Sequence, residues 1–131
     1  MKDKEQSIKY EVQSMKNDIV KEKSFRFAVE IVNLYKELIS NKKEFVLSKQ
    51  LLRSGTSIGA NVREAKNGES KADFIHKLGI AQKECDESLY WLELLKETDY
   101  INLKQFNSLK NNADELLKII RSIILTSKKN R

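Results

Sequence analysis

An all-α, antiparallel up-down-up-down four-helix bundle is the fold class this sequence predicts, and three observations carry that expectation. The 131 residues contain no proline and only four glycines, which favours a few long helices over many short strands. Apolar residues recur at alternating spacings of three and four in successive stretches separated by short polar breaks, as in amphipathic helices joined by tight loops. Charged residues make up 34% of the chain and hydrophobic ones 40%. That balance suits solvated outer faces around one substantial core and lies outside the disordered range.

The first 23 residues are charge-dense, yet Ile8, Val12, Met15 and Ile19 are spaced 4, 3, 4 and form a narrow apolar seam. No breaker separates this arm from the residues after it, so the spacing favours a helical N-terminal extension over a mostly disordered tail. Ser24 is an acceptable N-cap for a first core helix over about 24–40, with Phe25, Ala28, Ile31, Val32, Tyr35, Leu38 and Ile39 along its inner face. Ser40–Lys43 is a polar break, and a second helix is expected over about 44–66. Its middle, Ser54–Asn61, is poor in helix formers, since Gly costs about 1 kcal/mol against Ala and Ser, Thr and Asn lose less. Even so, Leu51, Gly55, Ile58, Val62 and Ala65 keep the 4, 3, 4, 3 period. Giving up propensity while keeping the period implies close helix–helix contact at Gly55 and Gly59.

Asn67–Ser70 is the clearest turn. Gly68 is placed as a left-handed helix stop, and Ser70 with Asp73 resembles an N-terminal capping pair. A third helix then runs to about Glu97, with Phe74, Leu78, Ala81, Cys85, Ser88, Leu92 and Leu95 in a strict seam. Asn102 and Gln105 form a second capping pair, with Ile101 able to staple onto Phe106. The fourth helix carries Phe106, Leu109, Ala113, Leu116, Leu117, Ile120, Ile123 and Ile124. The bundle is thus expected over 24–126, with an arm at 1–23 and a basic tail at 127–131.

Charge and chemistry limit the function classes. The net charge is +6, but residues 67–100 carry four bases and eight acids, so one helix is acidic while the rest leans basic. Such a chain attracts an anionic polymer. A single Cys85 excludes an internal disulfide, and its seam position marks a small buried hydrophobe rather than a nucleophile. His76 is the one histidine; with Asp73 it makes a lone D-x-x-H, whereas a di-iron bundle needs two such motifs and further carboxylates. No metal, cofactor or enzymatic site is expected. The lack of an 18-residue apolar run argues for a cytoplasmic protein with no membrane span.

Two sets of residues stand out. Lys49, Arg53, Arg63 and Lys66, joined by Lys128, Lys129 and Arg131, are the expected phosphate contacts for RNA or DNA. Arg53, Asn61 and Glu64 face Glu84 and Glu87 across the second and third helices and are expected to form a polar network that sets their register. Tyr90-Trp91 reads as core and edge packing among acidic neighbours. The rival expectation to nucleic-acid binding is a protein-interaction adaptor that docks a partner through the Ile8–Ile19 seam.

The string SGTSIGANVREA at Ser54–Ala65, then Ser70-x-x-Asp73-Phe74, then Glu84-x-x-Glu87-x-x-Tyr90-Trp91-Leu92, closely resembles the family called four helix bundle protein, also known as 23S rRNA intervening-sequence proteins. The resemblance spans about residues 24–125. It implies a small bacterial bundle that assembles as a ring-shaped homopentamer and carries no established reaction. A related branch, the accessory variability proteins of diversity-generating retroelements, binds nucleic acid and a reverse transcriptase through a basic surface, so both become expected partners.

Overall fold

The computed structural model describes residues 2–130. Among them the chain forms four α-helices, α1 (Lys2–Ser40), α2 (Leu47–Lys66), α3 (Lys71–Glu97) and α4 (Leu103–Lys129). Each neighbour in sequence is a neighbour in space, and α1 also meets α4, which closes an antiparallel up-down-up-down bundle. The α2–α3 interface is the most extensive and the α1–α4 interface the least.

The arm and the first core helix are one element. At 39 residues, α1 is about 58 Å long at 1.5 Å per residue. Ser24 is therefore not an N-cap: it is fully buried in mid-helix, and its hydroxyl donates to the carbonyl of Lys21 at 3.1 Å. The buried seam of α1 is Val20, Ser24, Phe27, Ile31, Leu34 and Leu38, rotated from the expected face. Phe25 lies outside, beneath the Arg63 guanidinium at 5.3 Å from its ring centre.

Small residues decide how α2 meets its neighbours. A Cβ added at Gly55 would stand 2.8 Å from Cγ1 and 2.9 Å from Cγ2 of Ile31, so α1 packs directly on the α2 backbone within one subunit. At Gly59 the nearest atoms are the Ser24 backbone at 3.4 Å, an ordinary contact. On the other side, the buried Ser88 hydroxyl of α3 donates to Ser54 Oγ of α2 at 2.9 Å. Both hydroxyls taken out of water in this seam thus keep a partner.

The α2 start differs from expectation. Glu44 is not helical; it is buried at the end of a loop in which Lys43 holds φ 55°. Its carboxylate accepts from the backbone N–H groups of Val46, Leu47 and Ser48 at 3.2, 2.8 and 2.6 Å, supplying the cap that Val46 has no side chain to provide. The other starts match expectation: Ser70 accepts from the Asp73 N–H, and Asn102 and Gln105 form a reciprocal box. Gly68 does not adopt a left-handed conformation. It is small because a Cβ there would meet the Ala65 carbonyl at 3.1 Å. Nor do Lys128 and Lys129 form a separate tail, since α4 continues through them.

Gly55→Ala should destabilise by about 1–2 kcal/mol, because overpacking against a buried β-branched side chain outweighs the gain in helix propensity; Gly59→Ala should be neutral or stabilising. Urea denaturation of both variants checks the contrast. For Glu44, burial pushes its pKa up, but the hydrogen bonds from the Ser48, Leu47 and Val46 backbone and the Ser48 hydroxyl outweigh this and hold it below the ordinary 4.5. A depressed carboxylate stabilises the fold above its unfolded value and loses that contribution as pH falls through its folded one. Thermal melts should therefore fall as pH drops below about 4.5, and Glu44→Gln should show a shallower fall together with a cap loss of about 1 kcal/mol at neutral pH.

Candidate nucleic-acid interface

The expected basic set is divided by the fold. Lys49 lies in the first turn of α2, beside the α1–α2 loop, whereas Arg63 and Lys66 lie in its last turn. Lys49 and Lys66 are separated by 17 residues of helix, about 26 Å. Lys66 pairs with Asp18 of α1 at 3.0 Å, and Arg63 stands over Phe25. Lys128 and Lys129 close α4 at the same end as Arg63 and Lys66. There the Lys71 ammonium donates to the Asn130 carbonyl at 2.6 Å, tying the start of α3 to the end of α4. Arg131 lies outside the described residues.

Arg53 has a different occupation. One guanidinium nitrogen pairs with Glu84 at 3.2 Å and the other binds Glu87 closely. The Trp91 indole N–H also donates to Glu87 at 3.1 Å. That bond first, and then Arg53, hold the Glu87 carboxyl below its usual range against the opposing effect of burial. The Arg53 guanidinium is pushed up in turn, chiefly by its hydrogen bond to Glu87. A phosphate would have to displace two carboxylates, so Arg53 acts as an α2–α3 strut. Of the expected network, Asn61 and Glu64 are not joined to it: Asn61 donates to the Ser57 carbonyl, and Glu64 pairs with Lys77.

Burial raises the Cys85 thiol to about 12, and its Sγ donates to the Ala113 carbonyl, which leaves it protonated and inert near neutral pH. His76 is exposed at the start of α3. Among the described residues no group of three or more His, Cys, Asp or Glu is placed to hold a metal ion, and no helix is long and apolar enough to cross a membrane.

The structure adds two bases to the expected surface. From Leu116 to Asn130 α4 contains no acidic residue, and Lys118, Arg121, Lys128 and Lys129 are all exposed along this run. The acids immediately before it are engaged, Asp114 with Lys110 and Glu115 with Lys23. Among the described residues no ion pair involves Lys118, Arg121, Lys128 or Lys129. These four cations span about 16 Å of helix, and Lys71 sits at their far end. The signal was present in the sequence as a 15-residue acid-free run, but counting charge over the whole of the fourth helix conceals it.

An all-α bundle of four antiparallel helices with a basic face on its last helix defines a class of small helical-bundle protein. Comparison with known proteins narrows this. The chain belongs to the 23S rRNA-intervening sequence protein family, whose model matches residues 16–122. It is also similar to a crystal structure of a protein of unknown function from the S23 ribosomal protein family of Bacteroides thetaiotaomicron VPI-5482. The identity is 59% and the TM-score 0.83, over 83% of this chain and 97% of that one. No curated protein matches the chain.

As a strut, Arg53 should contribute to stability and not to binding. Arg53→Ala should lower stability by about 1 kcal/mol, as befits a half-exposed network, and should leave any nucleic-acid affinity unchanged. Parallel urea titrations and binding measurements check both halves.

Proposed function

We propose that this protein is a non-enzymatic, cytoplasmic bundle that binds RNA or DNA electrostatically through the C-terminal half of α4. The observation that supports this reading is the acid-free run from Leu116 to Asn130, with Lys118, Arg121, Lys128 and Lys129 exposed and without ion pairs among the described residues. Lysine and arginine on one helix face contact successive phosphates without reading bases, which gives affinity with little sequence preference. Lys71 and Lys66 extend the patch toward α3 and α2, while Lys49 and Arg53 take no part. Assembly as a homopentamer, which the family resemblance implies, repeats this face around a ring and multiplies weak contacts through avidity.

Neutralising about four phosphates sets the expected salt dependence. The logarithm of affinity should fall with the logarithm of salt concentration at a slope of about −3 to −4. Lys118→Glu combined with Arg121→Glu should reduce that slope by about half and weaken binding to structured RNA and duplex DNA alike. Fluorescence anisotropy titrations at several salt concentrations measure both. An absence of binding at low salt, or a double variant with unchanged slope, contradicts the proposal.

A further inference from the structure

The N-terminal part of α1 has two faces with opposite fates. Gln13, Asn17, Val20 and Ser24 lie on the side turned to the bundle, where Val20 and Ser24 are buried and Gln13 and Asn17 half-buried. On the other side Ile8, Val12, Met15 and Ile19 remain 55%, 47%, 62% and 42% exposed. Four large apolar side chains at 4, 3, 4 spacing are the d, a, d and a positions of a heptad seam. The next two seam positions, Glu22 and Arg26, are ion-paired with each other at 3.0 Å, which confines the apolar seam to the arm. Residues before 16 also lie outside the family match, so three of the four seam residues fall beyond it.

We infer that the arm associates with the arm of a second copy of this chain as a parallel, in-register coiled coil. The flanking charges select this occupant and direction. The positions on one flank are Lys9, Lys16 and Lys23; those on the other are Lys4, Glu11 and Asp18. In a parallel pair each residue of the second flank meets the first-flank residue five positions further along in the other copy. Glu11 then faces Lys16 and Asp18 faces Lys23, leaving Lys4 against Lys9 as the single like-charged pair. In an antiparallel pair equivalent flanks meet, so lysines face lysines and acids face acids. Lys16, Asp18 and Lys23 already bind Ser122, Lys66 and Glu115 of their own bundle. An ammonium has three donors and a carboxylate about four acceptor sites, so these contacts leave capacity for a second partner. The buried face of α1 and the seam lie on different sides of the helix. Arm pairing is independent of nucleic-acid binding.

The test is sedimentation of the full chain as a function of concentration, with circular dichroism to confirm folding. Val12→Glu with Met15→Glu should keep the helical signal and weaken self-association roughly tenfold or more. Glu11→Lys and Lys16→Glu should each weaken it, and the two together should restore it. A Val12→Cys chain should form a disulfide to its own copy under mild oxidation, because in-register seam positions come within the disulfide Cα range of about 5.5–6 Å. A control Ser7→Cys, placed off the seam, should not. Monomeric behaviour at all concentrations overturns the inference and leaves the seam to a different protein. Self-association whose concentration dependence is unchanged by Val12→Glu with Met15→Glu also overturns it, as does association strengthened by Lys16→Glu alone, the antiparallel result.

Discussion

The contact of Gly55 with Ile31 is the constraint on which the rest of this bundle depends. With no side chain at 55, the α2 backbone can come against a fully buried β-branched residue of α1. On the adjoining side Ser54 meets Ser88 of α3 through a buried hydroxyl pair. Two neighbouring small residues thus set the distance from α2 to both flanking helices. The low helix propensity of Ser54–Asn61 is tolerated because tertiary contact outweighs it. Larger side chains here would push α2 outward and open the core around Ile58, Leu92 and Ile120, which are entirely buried.

Polar groups complete what the small residues begin. Arg53 spans Glu84 and Glu87 beside the Ser54–Ser88 pair, so the register of α2 against α3 is held by directional bonds as well as by fit. Glu44 does comparable work at the start of α2. A single buried carboxylate satisfies three backbone N–H groups and fixes where the helix begins. Both cases show charge used for geometry rather than for chemistry, in keeping with a fold whose one buried thiol is held protonated.

Much of this was legible in the residues. The seam of α3 and the caps at Ser70 and Asn102 are local patterns, and local patterns survive folding. What was hidden depended on facts outside the local window. Ser24 looks like a cap because serine favours caps; only the approach of Gly59 reveals it as the small residue at a helix crossing. Phe25 and Phe27 are equivalent by composition, and the positions of α2 and α4 decide that Phe27 is inside. Arg53 satisfied both a phosphate-binding and a strut expectation, because a guanidinium serves either and only its neighbours choose. Lys118 and Arg121 do not stand out in the sequence because Asp114 and Glu115 offset them in the charge balance of the helix, whereas in space those acids are engaged by Lys110 and Lys23.

The continuity of α1 carries a consequence for how this chain can evolve. Arm and bundle share one unbroken helical lattice with neither proline nor glycine between Lys2 and Ser40, so the outer face of the arm is phased to the core like teeth on a common shaft. Inserting or deleting one residue near Lys21 would turn the arm by about 100° relative to the bundle. Changes of a whole heptad would nearly preserve the phase, lengthening or shortening the shaft while its teeth still mesh.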